Sequence, residues 1–548
     1  MLSYRKLAMR VLGRPLHTEG IDSPRPASQR AAALVLTAAM LTTLAAPAFA
    51  KTWYIENGNI TVKAGKIEGT NKVSQGETTD EKDTDTVITN RDKDTASSHT
   101  VTINANGKND KVEVTLKDVN IEANSGHALT SNGDVTLTLK GENHLTGGNG
   151  GRYGGSGITS NGSLTITGGE NDSLTAQGGS SADGGSGSYG GSGIGSSSGG
   201  LTISGGTVNA AGGSGSYGGS GSGIYSRGGV TISSGTVTAN GGDGSNVSGS
   251  GITSNGGVTI SGGTVNAAGG SGSYGGNGIY SRGGLTVSDG TVTAKGGNGD
   301  SKDGYGGDGI RSGGGVTISG NTVNAAGGYG GKVGGYGICS FDRVAISGGT
   351  VEAAGGNGST GGGSGIYSSV IDLSGSLELT AKAGSPNGKA LSQKGSELVL
   401  DTIKDKLGPG AKVTATDADG KVIDQVSTPR PVEPEESSSS SDGGSAAPSA
   451  PASPLPGLTV TDKDGQRISY TSTQSGNTLT VCVGRFTASF RISLAALRQL
   501  RAEGIETIAF QTILCSTTLS VDELLAMGGE DAEAVLTHRL TDSSLTVG

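Results

Sequence analysis

The stretch GIYSRGGVTISSGTVTANGG, residues 223–242, decides the fold, because near-copies of it recur through the middle of the chain. Each copy opens with an isoleucine that follows a glycine. The eight opening isoleucines are Ile158, Ile194, Ile224, Ile252, Ile279, Ile310, Ile338 and Ile366. Weaker copies begin at Leu129 and Leu391. A repeat of roughly 20–50 residues is typical of a solenoid.

Each copy predicts three short β-strands with one apolar face. In residues 223–242 every second position of three segments is apolar, and serine or threonine lies between them. Those positions are Ile224, Val230, Ile232, Val237 and Ala239. Gly-Gly pairs separate the segments and favour tight turns. Three strands and three turns describe one coil of a parallel β-helix.

A single coil cannot bury its own apolar face, so successive coils must stack their isoleucines and valines into columns. Residues 51–385 contain no proline, which agrees with strands that pair on both edges. Glycine contributes 105 of 548 residues, but it is not spaced at every third position as collagen requires. A calcium-binding β-roll would need a recurring aspartate, and a disordered Gly/Ser tract would lack the phased isoleucines.

The first fifty residues predict a signal peptide. Six basic residues precede an apolar run over residues 31–44, and Ala48-Phe49-Ala50 resembles a cleavage site. A membrane anchor is the alternative, but the run is rich in alanine and threonine. We therefore expect a secreted or cell-surface bacterial protein, with no membrane span after cleavage.

The negative net charge limits the classes of binding partner, and the small number of cysteines limits disulfide pairing. The formal net charge is −9, and removal of the basic leader leaves −13. That charge disfavours nucleic acid as a partner. Of the three cysteines, Cys482 and Cys515 could pair with each other, whereas alternation directs Cys339 away from the core.

A change of composition divides the chain. Residues 51–427 are predicted to form the β-helix domain, with the repeats over about 126–400. Residues 428–457 contain seven of the thirteen prolines and five consecutive serines, which is typical of a linker. Residues 458–548 predict a separate small α+β domain, with one helix after Ser493 and another after Ser520.

Residues 111–150 and 153–179 carry a more specific pattern. An alternating strand leads to Gly-x-Ala-Leu, a threonine-rich strand, an Asn-x-Leu step and Gly-Ile…Leu-Thr-Ile-x-Gly-Gly units. The pattern consists of Val114, Leu116, Val119, Ile121, Gly126, Ala128, Leu129, Asn143, Leu145, Gly157, Ile158, Leu164, Ile166, Gly168 and Gly169. Over about residues 100–400 the chain resembles the secreted bacterial carbohydrate-binding β-helix proteins first described from cellulose-degrading clostridia.

The resemblance implies an all-β, right-handed parallel β-helix that is similar in shape to pectate lyases. It also implies binding of polysaccharide and of Ca²⁺ without cleavage, so we expect a plant cell-wall or host glycan as partner. The chain departs from the family in one respect. Coils of the family often open with Asp-Gly-Ile, whereas most coils here open with Ser-Gly-Ile, and only Asp308 keeps the acid.

Tyrosines that recur in the loops between repeats are the candidate sugar-binding residues, because a ring can stack on the C–H face of a sugar. They are Tyr153, Tyr189, Tyr217, Tyr274, Tyr305 and Tyr336. The alternative is that these rings only shield the base of each loop. A second set, Tyr225, Tyr280 and Tyr367, follows the opening isoleucine and is expected to point outward and stack as a ladder.

Asp300, Asp303 and Asp308 share one loop and are the candidate Ca²⁺ ligands, with a solvated loop as the alternative. Arg227 and Arg282 occupy equivalent positions two coils apart, where a lyase would place a base, but no acids accompany them. The sequence therefore favours a non-catalytic carbohydrate-binding or adhesive protein. A polysaccharide lyase or hydrolase on the same scaffold, and a passive structural surface protein, remain the alternatives.

Overall fold

The structure, a computed structural model, describes residues 50–429 apart from 106, 108–109, 182–187, 216–218 and 301. It also describes residues 457–547 apart from 462–466, 469, 476, 484–487, 513–515, 528–531 and 539–542. The chain divides into two compact units on either side of residues 430–456. Almost all of the predicted signal peptide and of the predicted linker lies outside the described residues. No described helix has the length and apolar character that crossing a membrane requires.

The first unit is a parallel β-helix, as the sequence predicts, and it contains about 13 stacked coils rather than the ten or eleven that the repeat count suggests. The strand that opens each coil pairs in parallel with the opening strands of neighbouring coils, and from Ile158 to Ile366 isoleucine lies on isoleucine. The opening strands are Ile60–Ala64, Val101–Ala105, Leu129–Lys140, Ile158–Asn161, Ile194–Ser196, Ile224–Ser226, Ile252–Ser254, Ile279–Ser281, Ile310–Ser312, Ile338–Ile346, Ile366–Leu373 and Leu391–Gln393.

Two further strands complete a coil, and we name them the middle strand and the third strand. Separate middle strands are Lys51–Tyr54, Thr86–Thr89, Lys111–Lys117, Leu164–Thr167 and Val316–Ile318. In Leu129–Lys140, Ile338–Ile346 and Ile366–Leu373 the opening strand continues into the middle strand. Middle and third strands are continuous in Leu201–Ala211, Val230–Asn240, Val258–Ala268 and Leu285–Lys295. Separate third strands are Asn120–Glu122, Glu142–Thr146, Ser173–Gln177, Thr322–Ala326, Gly349–Ala354, Leu377–Lys382 and Lys412–Thr416.

Antiparallel segments close both ends of the β-helix. At the start, Asn71–Gln75 pairs with Ile60–Ala64 and with Thr78–Asp83. At the end, Val422–Ser427 pairs with the last third strand, and the short strand Ser396–Glu397 folds back on the last opening strand. The two 3₁₀ helices are Ile55–Asn57 and Leu400–Lys406. These caps cover strand edges that would otherwise be open to aggregation.

The core is a set of dry aliphatic columns that run through the coils. Ile224, Ile252 and Ile279 are 0 % exposed, as are the equivalent isoleucines of the other repeats. Full burial of each such side chain contributes about 1.5–3 kcal/mol. A column of buried serines lies beside the isoleucines, and the hydroxyls of its members from Ser160 to Ser368 donate to backbone carbonyls. Ser254 Oγ, for example, is 2.8 Å from Gly228 O and 3.0 Å from Gly257 O.

Glycine has a second role that the sequence does not predict. Glycines of successive coils form two neighbouring columns, whose backbone groups are joined by hydrogen bonds. Gly276 N donates to Gly270 O, and Gly297 N of the next coil donates to Gly276 O. A Cβ atom added at Gly276 would lie 1.8 Å from Gly249 O in the preceding coil. Backbones therefore pack directly against backbones at this corner of the coil, and no larger residue fits between them.

In the second unit, the described residues form two four-stranded sheets and two α-helices. One sheet consists of Leu458–Thr461, Ala488–Ser493, Glu533–His538 and Ser543–Val547, and the other of Thr471–Ser475, Thr478–Cys482, Thr507–Gln511 and Ser516–Ser520. The helices are Leu494–Ala502 and Val521–Ala526. Ser493 and Ser520 are their N-caps, and each hydroxyl accepts a backbone N–H three residues on, as the sequence predicts.

Candidate functional site

Four of the six candidate loop tyrosines lie in one exposed column. The column takes one residue from each coil, five positions before the opening isoleucine, and parallel bridges or backbone hydrogen bonds connect its members. We call it the tyrosine column, and it consists of Tyr153, Tyr189, Gly219, Val247, Tyr274, Tyr305, Val333 and Gly361. The four tyrosines are 40–59 % exposed. The structure therefore brings these rings into a single surface line along the β-helix.

Within the tyrosine column the rings face each other. Tyr153 stacks on Tyr189 with centroids 5.9 Å apart and planes 4° apart. Arg152 lies over the ring of Tyr153, with its guanidinium carbon 5.4 Å from the centroid. Tyr189 also lies against Gly219, where a Cβ would be 3.6 Å from the ring. The faces of these two rings therefore contact other residues of the protein. A ligand could contact the ring edges and the hydroxyl groups.

Tyr217 and Tyr336 do not belong to the tyrosine column. Tyr217 lies outside the described residues, and Gly219 holds the column position of that coil. Tyr336 occupies a different place in its coil, and its role in sugar binding stays a prediction. It lies two residues before Ile338 rather than five, and its ring stacks on Tyr367 with centroids 5.0 Å apart.

Asp308 lies two residues before the opening strand Ile310–Ser312, and it is buried rather than exposed in its loop. It is 4 % exposed. Its Oδ2 is 2.9 Å from Arg311 Nη1, and its Oδ1 accepts the backbone N–H of Tyr336 at 2.7 Å. Asp300 and Asp303 remain exposed in the preceding loop. The structure does not bring the three candidate calcium ligands together.

Arg311 is the centre of a group of side chains that we call the outer cluster. The cluster consists of Asp308, Arg311, Tyr336, Cys339, Phe341 and Tyr367. The guanidinium carbon of Arg311 lies 4.9 Å from the centroid of Phe341 in the next coil. Cys339 follows Arg311 in the register of the opening strands. Alignment of the repeats by their opening isoleucines would have revealed these neighbours. In that alignment Asp308 and Tyr336 lie two residues before the opening isoleucine of their coils. Arg311, Cys339 and Tyr367 lie one residue after it, and Phe341 lies three residues after it.

Burial is the largest influence on the pKa values of Asp308 and Cys339 in the outer cluster. It raises the pKa of the Asp308 carboxyl above the usual range, although the N–H of Tyr336 and the charge of Arg311 act in the opposite direction. It also raises the pKa of the Cys339 thiol to about 12. Cys339 is 1 % exposed and lies outside the aliphatic columns. A thiol with such a pKa is protonated at neutral pH and is a poor nucleophile.

The tyrosines that follow the opening isoleucine do not form the predicted ladder. Thr253 lies between Tyr225 and Tyr280 in the register of neighbouring coils. Two further coils, with Arg311 and Cys339, separate Tyr280 from Tyr367. The rings are therefore too far apart to stack on one another.

The two arginines that a lyase could use as bases are exposed. Arg227 and Arg282 hold the equivalent position in coils two apart, with Asn255 in the coil between them. Asn255 Nδ2 donates to the hydroxyl of Tyr225 at 3.2 Å. Neither arginine has an ion-pair partner among the described residues. Their surroundings match the solvated surface charges that the sequence favours.

The outward positions of the third strands form a regular surface that the sequence analysis did not single out. Over five consecutive coils they are in register, and most of them carry hydroxyl or amide side chains. We call this surface the polar face, and it consists of Thr207, Asn209, Ala211, Thr236, Thr238, Asn240, Thr264, Asn266, Ala268, Thr291, Thr293, Lys295, Thr322, Asn324 and Ala326. Lys295 is its only charged member.

The described residues provide no cluster of metal ligands. No three His, Cys, Asp or Glu side chains come together there as a metal site would require. The predicted Cys482–Cys515 pair lies outside the description, since residue 515 and the side chain of Cys482 are not described. Comparison of the chain with protein-family models, with curated proteins and with solved structures gave no match.

Proposed function

We propose that this chain is an exported protein that binds polysaccharide and does not cleave it. The observation that carries the proposal is the polar face, where threonine and asparagine side chains recur in register over five consecutive coils. Neighbouring strands lie about 4.8 Å apart, so these groups form a lattice with a constant step. A polysaccharide is a repeating chain of hydroxyl groups, and a repeating surface can contact it at many equivalent points.

The near absence of charge on the polar face supports a neutral, hydroxyl-rich partner. The mature chain carries a formal charge of −13 on the predicted cleavage, yet this face holds one lysine and no acid. Individual hydrogen bonds to neutral groups contribute only about 0.5–1.5 kcal/mol each. Repetition over five coils compensates for weak single contacts, because linked contacts act at a high effective concentration.

Binding without cleavage is supported by the way the charged groups near the coil openings are used. Hydrolysis of a glycosidic bond needs two carboxyl groups at a workable separation, and a lyase needs a base beside a calcium–carboxylate cluster. The Asp308 carboxylate is buried and bonded on both oxygens. Arg227 and Arg282 are exposed and without neighbouring acids that could complete such a site among the described side chains.

The test is retention of residues 51–548 on insoluble xylan and on pectin, followed by analysis of the supernatant. We expect retention without new reducing or unsaturated sugar ends. The double variant Thr238→Glu/Thr293→Glu places two charges on the polar face and should reduce retention at least tenfold. Thr231→Glu/Thr286→Glu, which places the same charges on the middle strands of the same coils, should leave retention unchanged.

Three results would contradict the proposal. Equal retention of both double variants would remove the polar face as the binding surface. New sugar ends that increase with incubation time would instead show a lyase or hydrolase. Failure to bind any member of a broader glycan array would leave the passive structural alternative.

A further inference from the structure

The resemblance to carbohydrate-binding β-helix proteins implies Ca²⁺, and Asp308 is the one acid that keeps the Asp-Gly-Ile form of a coil opening. Whether the residues around it fit a calcium ion can be tested on their chemistry. Ca²⁺ takes six to eight oxygen ligands at about 2.3–2.6 Å. Asp308 offers two oxygens, and one is bonded to the Arg311 guanidinium and the other to the N–H of Tyr336.

The other neighbours of Asp308 do not supply a cation site. Its own backbone N–H donates to Asn277 Oδ1 at 2.9 Å, which uses the nearest amide oxygen as an acceptor. The remaining members of the outer cluster present a guanidinium, a thiol and aromatic rings. Asp300 and Asp303 are exposed and stand apart from it. The donor set therefore does not fit Ca²⁺.

We infer that Arg311 takes the place of a metal ion at Asp308, so that the positive charge of this coil opening is built into the chain. The position of Arg311 is fixed from two sides. Its guanidinium bonds to Asp308 within the coil and lies over Phe341 of the next coil. A guanidinium that lies over an aromatic ring and pairs with a carboxylate is stabilised by both contacts.

The charge of Arg311 also affects the expected binding of polysaccharide, a step that rests on the proposed function. If the charge at this coil opening is supplied by Arg311, retention on polysaccharide does not depend on Ca²⁺ at Asp308. Chelation with EGTA should then leave retention of the wild-type chain unchanged. The direct test uses thermal unfolding, which needs no glycan and therefore fails or succeeds independently of the proposed function.

The first measurement compares the melting temperatures of the wild-type chain and Asp308→Asn, each in EGTA and in Ca²⁺. A calcium concentration of about 5 mM exceeds the roughly 10⁻⁴–10⁻³ M dissociation constants of extracellular calcium modules. Binding to the native state at Asp308 would raise the melting temperature. We expect the calcium-dependent shift to be the same in both proteins, and a larger shift in the wild type would overturn the inference.

The second measurement removes the internal charge. Arg311→Met should lower the melting temperature by several degrees, because a buried carboxylate is left without its counter-charge. The double variant Asp308→Asn/Arg311→Met should recover part of that loss, since the uncompensated charge is gone. If Arg311→Met melts at the wild-type temperature, the guanidinium has no role as a counter-charge and the inference is wrong.

Discussion

Tyr274 and Tyr305 lie in neighbouring coils with their rings 5.7 Å apart and only 6° from parallel. Lys332 of the following coil places its Nζ 5.9 Å from the centroid of Tyr305. Both rings are exposed, at 48 % and 40 %. The pair is therefore held by contacts within the surface rather than by burial, and its two members can be substituted without opening the aliphatic core.

Replacement of Tyr305 by alanine should lower the free energy of unfolding by about 0.5–1.5 kcal/mol, the range for an aromatic pair. Tyr305→Phe keeps the ring and should unfold at the wild-type urea concentration. Equal destabilisation by both substitutions would show that the hydroxyl group, and not the stacked ring, holds the column together.

Replacement of Ile279 by aspartate should destabilise the β-helix by at least about 3 kcal/mol. Ile279 is 0 % exposed and pairs with Ile252 and Ile310 in the neighbouring coils. Removal of a buried isoleucine alone costs about 2–5 kcal/mol, and a buried carboxylate adds its loss of hydration. Thr259→Asp, at an exposed middle-strand position, is the control, and similar urea curves for both variants would refute the aliphatic column.

Replacement of Gly276 by alanine should destabilise the β-helix, although alanine is a small residue. The new Cβ would meet Gly249 O at 1.8 Å, and both groups belong to backbones that neighbouring coils hold in place. Overpacking of this kind costs about 1–3 kcal/mol. Gly257→Ala is the matched control, since its Cβ would lie 3.5 Å from Gly284 O. If Gly276→Ala melts at the wild-type temperature, neighbouring coils can move apart where Gly249 and Gly276 meet, and the packing argument is wrong.

The stability of the second unit should fall as the pH decreases below about 6.5, the reference value for histidine. His538 is 0 % exposed, its Nε2 is 2.9 Å from Thr517 Oγ1, and its Nδ1 has no partner among the described residues. Burial lowers the pKa of His538. The unfolded state therefore binds more protons than the folded state between the lowered pKa and the unfolded value.

The sign follows from that difference in proton binding. Stability is complete above the unfolded pKa and decreases as the pH falls toward the folded pKa. Calorimetry of the chain at several pH values between 5 and 8 should show this trend for the transition of the second unit. His538→Gln should weaken the dependence, and an unchanged pH profile in that variant would assign the effect to another group.

The repeat pattern was sufficient to predict the parallel β-helix, because its apolar positions recur with one phase in every coil. The opening isoleucines and the alternation in residues 223–242 specify both the strands and the face that is buried. The helix N-caps Ser493 and Ser520 could also be predicted from the sequence, because capping depends only on residues within one helical turn. Local chemistry and strict repetition are the parts of this fold that a single sequence reveals.

The outer cluster and the glycine columns were not predictable in the same way. Asp308 and Tyr336 are 28 residues apart, and their contact exists only because one coil lies on the next. The loops between coils differ in length, so a count along the chain does not reveal which tyrosines become neighbours. Gly276 and Gly249 look like ordinary turn residues, and only the stacked backbones explain why neither can carry a side chain.

The common register of the opening strands also has an evolutionary consequence. Any segment that supplies an opening isoleucine, a glycine for each of the two glycine columns and the matching third strand can be inserted between existing coils without disturbing the caps. Recombination between two near-identical repeats would lengthen or shorten the molecule by whole steps of about 4.8 Å. Natural variants of this chain should therefore differ in the number of coils while both ends stay the same.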